Sequence, residues 1–138
     1  MKRIILTTVA VLLLLPLALV AQKGGHSLEQ VARYKAVQIS RQMEMSREKA
    51  DAFIPVYEAF QLETGRLMAE SRKGRAASVD TDEQAEKQIL ADFETSRSVL
   101  EIRERYYQEF KKILTPLEIR QMYVWEKKNA QRSLARQK

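Results

Sequence analysis

Four helix-start signals in a chain almost without helix breakers restrict the fold more than any other feature of this sequence. The 138 residues include four glycines and three prolines. Ser27-Leu28-Glu29-Gln30 is a capping box: the Ser hydroxyl can accept from a free backbone N–H and Gln30 can reach back. Ser46 caps a second helix, with Glu48 in its first turn. A third start lies at Asp80 with Glu83 or at Thr81 with Gln84. Thr115-Pro116-Leu117-Glu118 is the sharpest, because Pro at the first helical position loses nothing by lacking an N–H. These signals predict helices over about 28–44, 46–73, 83–113 and 116–135, with one linker from Gly74 to Asp82. The fold class is all-α.

Periodicity then says how such helices pack. Ala50, Phe53, Tyr57, Phe60, Thr64 and Leu67 recur at steps of three and four in helix two. Ile89, Phe93, Ser96, Leu100, Arg103, Tyr107, Phe110 and Leu114 do the same in helix three. Seams near 3.5 residues per turn suit antiparallel helical hairpins. The plain expectation for both rows is core, and a groove for a ligand is the alternative. A third helix of some 31 residues spans about 46 Å, whereas a compact chain this size has a radius of gyration near 13 Å. The fold is therefore expected to be elongated. Single-sided seams in an elongated hairpin call for a homodimer or a standing apolar groove. Pro55 and Gly65 inside helix two predict that it bends, or that Pro55 splits it.

The N-terminus reads as an address. Met1-Lys2-Arg3 precedes an apolar run from Ile4 to Leu15, then Pro16, a small residue at Ala21 and the polar Gln22-Lys23. This is the pattern of a secretory signal peptide cleaved after Ala21, with an uncleaved anchor as the competing expectation. Residues 22–138 then form a single domain, exported to the periplasm. No Cys follows the run, which excludes a lipoprotein anchor, and the chain contains no Cys at all. The net charge of +6 falls to +4 once residues 1–21 and their two basic groups are removed. Export and mild basicity make nucleic acid an unexpected partner. Acidic or partly unfolded proteins and anionic surfaces fit better.

Chemistry is harder to find. The one His, His26, lies in the tail before the first helix, so no zinc site is expected. No phosphate-binding Gly-rich loop or nucleophile elbow occurs, and no enzyme activity or cofactor is expected. Carboxylates read as solvated charges and i,i+4 partners, for example Glu101 with Arg105. Basic groups cluster at Arg66, Arg72, Lys73 and Arg75, and along helix three at Arg97, Arg103 and Arg105. Arg103 is unusual in holding a seam position, where it either snorkels outward or lines a groove.

Two short segments carry a resemblance. Leu114-Thr115-Pro116-Leu117-Glu118 resembles the Leu-Thr-x-x-Gln motif of the Spy/CpxP family of periplasmic stress proteins. The earlier copy would be Met45-Ser46-Arg47-Glu48-Lys49, followed by Phe53-Ile54-Pro55-Val56-Tyr57, similar to the aromatic-x-Pro-x-Tyr segment of some members. Lys49 and Glu118 stand where Gln is expected. The resemblance implies a bent four-helix hairpin, paired into a cradle-shaped antiparallel homodimer. It also implies ATP-independent binding of unfolded or partly folded envelope proteins. On that basis Phe53, Tyr57, Arg66, Arg97, Arg103 and Arg105 are the candidate client-binding residues. Two other expectations remain open: an adaptor for the periplasmic domain of a sensor kinase, and a structural or lipid-associated envelope protein.

Overall fold

Each expected cap forms. In the structure, a computed structural model describing residues 25–75 and 77–137, four α-helices and no strand occur among the described residues. They are α1 (Leu28–Gln42), α2 (Arg47–Lys73), α3 (Asp82–Phe110) and α4 (Pro116–Ala135). Ser27 with Gln30, Thr81 with Gln84 and Thr115 with Glu118 form complete capping boxes. Thr81 thus prevails over Asp80 as the cap of α3. The signal-peptide expectation lies outside the described residues. Among the described residues no helix is long and apolar enough to cross a membrane.

α1 ends two residues before the expected Glu44, and the turn explains why. Met45 donates its backbone N–H to the Ser40 carbonyl (3.0 Å) and Glu44 to that of Arg41 (3.0 Å). This is a Schellman stop, whose left-handed position is filled by Glu44 at φ 51°. A side chain there costs about 1 kcal/mol relative to Gly. α3 likewise ends three residues short of Ile113. The Leu114 and Ile113 N–H groups both donate to the Phe110 carbonyl (2.8 and 2.9 Å), closing a tight turn into α4.

Pro55 does not split α2, which is continuous through it. Pro55 and Asp51 are both exposed, so the Asp51 carbonyl that loses its helical donor opens onto solvent. Gly65 has a packing reason. A Cβ there would lie 3.2 Å from Cδ2 of Leu28, so the first residue of α1 rests directly on the α2 backbone.

α2 is the central helix, flanked by α1 and α3. It runs antiparallel to α3: Phe53 meets Phe110, Phe60 meets Tyr106, Ser71 meets Thr95 and Arg75 meets Asp92. At 29 residues α3 is about 44 Å long. The core occupies one part of that length. Phe53, Tyr57 and Phe60 of α2 pack with Ala36 and Ile39 of α1, Ile102 and Phe110 of α3, Leu114, and Ile119 and Met122 of α4. The Phe53 and Phe60 rings lie 5.9 and 5.8 Å from that of Phe110. Such contacts add to area burial by about 0.5–1.5 kcal/mol per pair.

Candidate functional site

The structure separates the six residues expected to bind clients. Phe53 and Tyr57 belong to the core, as their seam spacing predicts, and present no surface to a partner, which corrects the client-binding expectation for both. The physical reason is their position on α2, where α1, α3 and α4 all close over one face. An apolar stripe at seam spacing goes to whichever helices reach it first, and here the chain covers its own.

The four arginines lie elsewhere, and each faces a carboxylate of the same chain. Arg66 is 3.7 Å from Glu29 and Arg97 is 3.0 Å from Glu94. Arg105 makes a forked pair with Glu63 and not with the expected Glu101. The neighbouring helix offers both carboxylate oxygens to the planar guanidinium, a match that an i,i+4 partner does not provide. The Arg105 guanidinium holds the Glu63 carboxyl below its ordinary range. All three pairs are solvent-exposed, where ion pairs contribute at most about 1 kcal/mol. They can therefore exchange partners with a charged ligand.

Arg103 differs. It donates to Glu126 of α4 (3.4 Å) and its guanidinium lies 4.7 Å over the Tyr123 ring. Glu126 also accepts from Tyr57 Oη and Gln61 Nε2, both at 3.0 Å. Its side chain is 18% exposed, and burial raises its carboxyl above the ordinary range despite the pull of Arg103. Burial likewise raises the Tyr57 phenol, reinforced by the Glu126 charge. This cluster ties α2, α3 and α4 together. Sequence reasoning missed Glu126, which looks like any helical surface carboxylate. The signal available was Tyr57, a seam aromatic whose hydroxyl needs a partner once buried.

The two motif-like segments come together at one end of the bundle. Ser46 and Thr115 cap α2 and α4 side by side, and Lys49 Nζ lies 2.6 Å from Glu118 Oε1. The two positions that depart from Gln therefore pair with each other. Glu118 Oε2 accepts from the Thr115 N–H (2.8 Å), and Lys49 and that N–H hold the Glu118 carboxyl below its ordinary range. Met43, Met45, Ser46 and Gln121 line a shallow hollow beside the pair. Leu114 is buried in the core. Pro55 sits on the outer face of α2, and Pro116 is exposed at the first turn of α4.

The largest departure from expectation is on α3. Ile89, Phe93 and Leu100, expected as core, are 52%, 54% and 55% exposed, and Leu90 beside them is 59% exposed. The contacts of Ser71 with Thr95 (3.1 Å) and Arg75 with Asp92 (2.9 Å) put the end of α2 level with Asp92. The ten residues from Asp82 to Ala91 therefore continue about 15 Å past it. α4 touches α3 at Arg103, and three residues beyond Glu126 its Asn129 exchanges hydrogen bonds with Gln42 of α1 (2.9 and 2.8 Å). It thus leaves α3 before reaching Leu100. What remains is an apolar row on a rigid helix, edged by Glu86, Lys87, Glu94 and Arg97. Met68 of α2 (40% exposed) and Val79 of the linker (46%) add to the exposed apolar surface of this half.

Comparison of the chain with protein-family models, with curated proteins and with solved structures finds no match.

Proposed function

We propose that this protein is a periplasmic, ATP-independent chaperone of the Spy/CpxP kind, exported through a cleaved signal peptide and working as a bent, elongated, antiparallel homodimer. It binds partly unfolded proteins and suppresses their aggregation. The observation that carries this reading is the exposed row of Ile89, Leu90, Phe93 and Leu100 on α3. Contiguous apolar patches of a few hundred Å² on a soluble chain mark interaction surfaces. A row of aliphatic side chains and one ring selects for apolar character and not for a particular sequence. Arg97 and Arg105, held by exposed ion pairs, add a salt-sensitive attraction for acidic client segments. In this reading clients bind the open half of α3, whose exposed apolar row supports it, and not the buried Phe53 and Tyr57.

The test is light scattering of a reduced, aggregating model protein with and without the purified chain, in the absence of ATP. Suppression near stoichiometric ratios is expected, weakened by salt and abolished by Phe93→Glu, with helical circular dichroism unchanged. A folded, helical protein that leaves aggregation untouched would sink this reading. The sensor-kinase adaptor would then take its place.

A further inference from the structure

The two carboxylates of α4 are both engaged by other helices. Glu118 is held by Lys49, and Glu126 by Tyr57, Gln61 and Arg103. α4 carries no other acid. Its solvent face therefore holds Arg120, Lys127, Lys128 and Arg132 with no carboxylate of the helix among them. Among the described residues none of these four makes an ion pair, whereas Arg66, Arg97 and Arg105 of the neighbouring helices all do. Lys128 Nζ lies 5.0 Å from the centre of the Trp125 ring.

The same face is also apolar. Leu117 and Leu134 are 74% and 65% exposed, and Val124 is 38% exposed. Leu117, Val124 and Ala135 follow one another at seven and eleven residues, so they fall within about 20° of one line along the helix. That line is about 27 Å long, and Leu134 stands beside its end. The four bases flank it, Arg120 and Lys127 on one side and Lys128 and Arg132 on the other.

We propose that this face of α4 docks on a bilayer surface that carries anionic lipid headgroups. Charge and spacing both select that partner. A partner helix would need apolar residues at alternating steps of three and four. Those steps from Leu117 and Val124 fall on Arg120, Gln121, Lys127 and Lys128. A soluble polyanion would engage the bases and leave Leu117 and Leu134 in water. A bilayer interface takes up both: the leucines enter the boundary between headgroups and acyl chains, and the bases reach phosphates along their flexible stems. The apolar line is short and much of the attraction is charge, so attachment is peripheral and reversible. The surface is separate from the α3 row, and the inference does not rest on client binding.

The test is flotation of residues 22–138, which lack the apolar N-terminal run, with vesicles of phosphatidylcholine alone or mixed with phosphatidylglycerol. Binding to the mixed vesicles is expected, weakened by salt. Each cation near an anionic surface is worth about fivefold in affinity, so Lys127→Gln with Lys128→Gln should weaken binding about 25-fold. Leu117→Ser leaves the charge unchanged and should weaken it about tenfold. Arg72→Gln with Lys73→Gln removes the same charge from α2 and should change it by less than about twofold. Circular dichroism checks that each variant remains helical. The chain contains no cysteine, so Val124→Cys and Gln30→Cys each accept one environment-sensitive dye. The dye at position 124 should shift to the blue on mixed vesicles, and the dye at position 30 should not. Absence of binding to mixed vesicles overturns the proposal. So does an equal loss in the α2 variant, which would reduce the binding to net charge. Competition by inorganic phosphate beyond that of chloride at equal ionic strength, with Leu117→Ser unaffected, would replace the bilayer with a soluble anion and overturn it too.

Discussion

From Ile102 to Phe110, α3 is wedged against α2 and α4, with Ile102 and Phe110 buried and Tyr106 against Phe60. From Asp82 to Leu100 the same helix repeats the same spacing, and Ile89, Leu90, Phe93 and Leu100 stay more than half exposed. Helix formation is equally good in both halves, because Thr81 and Gln84 cap the first and the tight turn at Phe110 ends the second. What differs is the number of neighbours. One half has three other helices around the core to which it belongs. The other has α2 along part of its length and the linker beyond. The difference teaches that seam periodicity reports what a helix offers, and not what takes up the offer.

The comparison can be broken most severely by cutting into the packed half. Phe53→Ala or Phe110→Ala is expected to cost about 3–5 kcal/mol in denaturant unfolding. A loss below about 1 kcal/mol would mean the aromatic cluster is not the centre of stability. Next comes the buried carboxylate. Glu126→Ala leaves Tyr57 Oη and Gln61 Nε2 without their acceptor and should cost about 1–3 kcal/mol. Glu126 also sets a pH dependence. Its folded-state carboxyl is raised by burial, so the folded state binds the proton more tightly than the unfolded state does. Its effect on stability is most favourable below the ordinary carboxylate range and declines as pH rises from there through the raised value. Stability against pH, measured for the natural chain and Glu126→Gln, should show that decline only in the former.

Glu118 runs the other way. Its carboxyl is held low by Lys49 and the Thr115 N–H, so its contribution is present above the ordinary carboxylate range and lost as pH falls through the depressed value. Glu118→Ala removes a cap and an ion pair together and should cost about 1 kcal/mol near neutrality. The smallest effect on stability belongs to the open half. Phe93→Ala and Leu100→Ser should move the unfolding free energy by about 0.5 kcal/mol or less. A larger loss would show that the exposed row is held by contacts within the protomer, and would remove it as a docking surface.

Local signals carried far in this chain. Ser27, Thr81 and Thr115 announce helix starts because a capping bond is made within four residues and needs no distant partner. α2 and α4 fall within a residue of expectation for that reason, and α1 and α3 miss only at their C-terminal ends. The stop at Glu44 was hidden because the left-handed position usually signals itself with Gly or Asn, and here it carries Glu. The candidate site was less legible. Seam spacing predicts core for Phe53, Tyr57 and Phe93 alike, and the resemblance predicts a client surface for the first two; Phe53 and Tyr57 lie in the core and Phe93 on the surface. The two sets share residue type and spacing, so nothing local distinguishes them. The pairings of Arg105 with Glu63 and Lys49 with Glu118 were equally hidden. Each joins residues on different helices, 42 and 69 positions apart.

The sequence by itself determined that this chain is helical, where its four helices begin, and which stripe of each is apolar. Those are consequences of hydrogen bonds and side-chain spacing within a few residues. Only the tertiary structure decided which stripes are buried. α4 leaves α3 between Arg103 and Leu100 and turns toward Gln42 of α1, so the core closes over Phe53, Tyr57 and Phe110 and stops short of Phe93. Burial depends on how many helices converge on a point in space, and the spacing along one helix holds no record of that number.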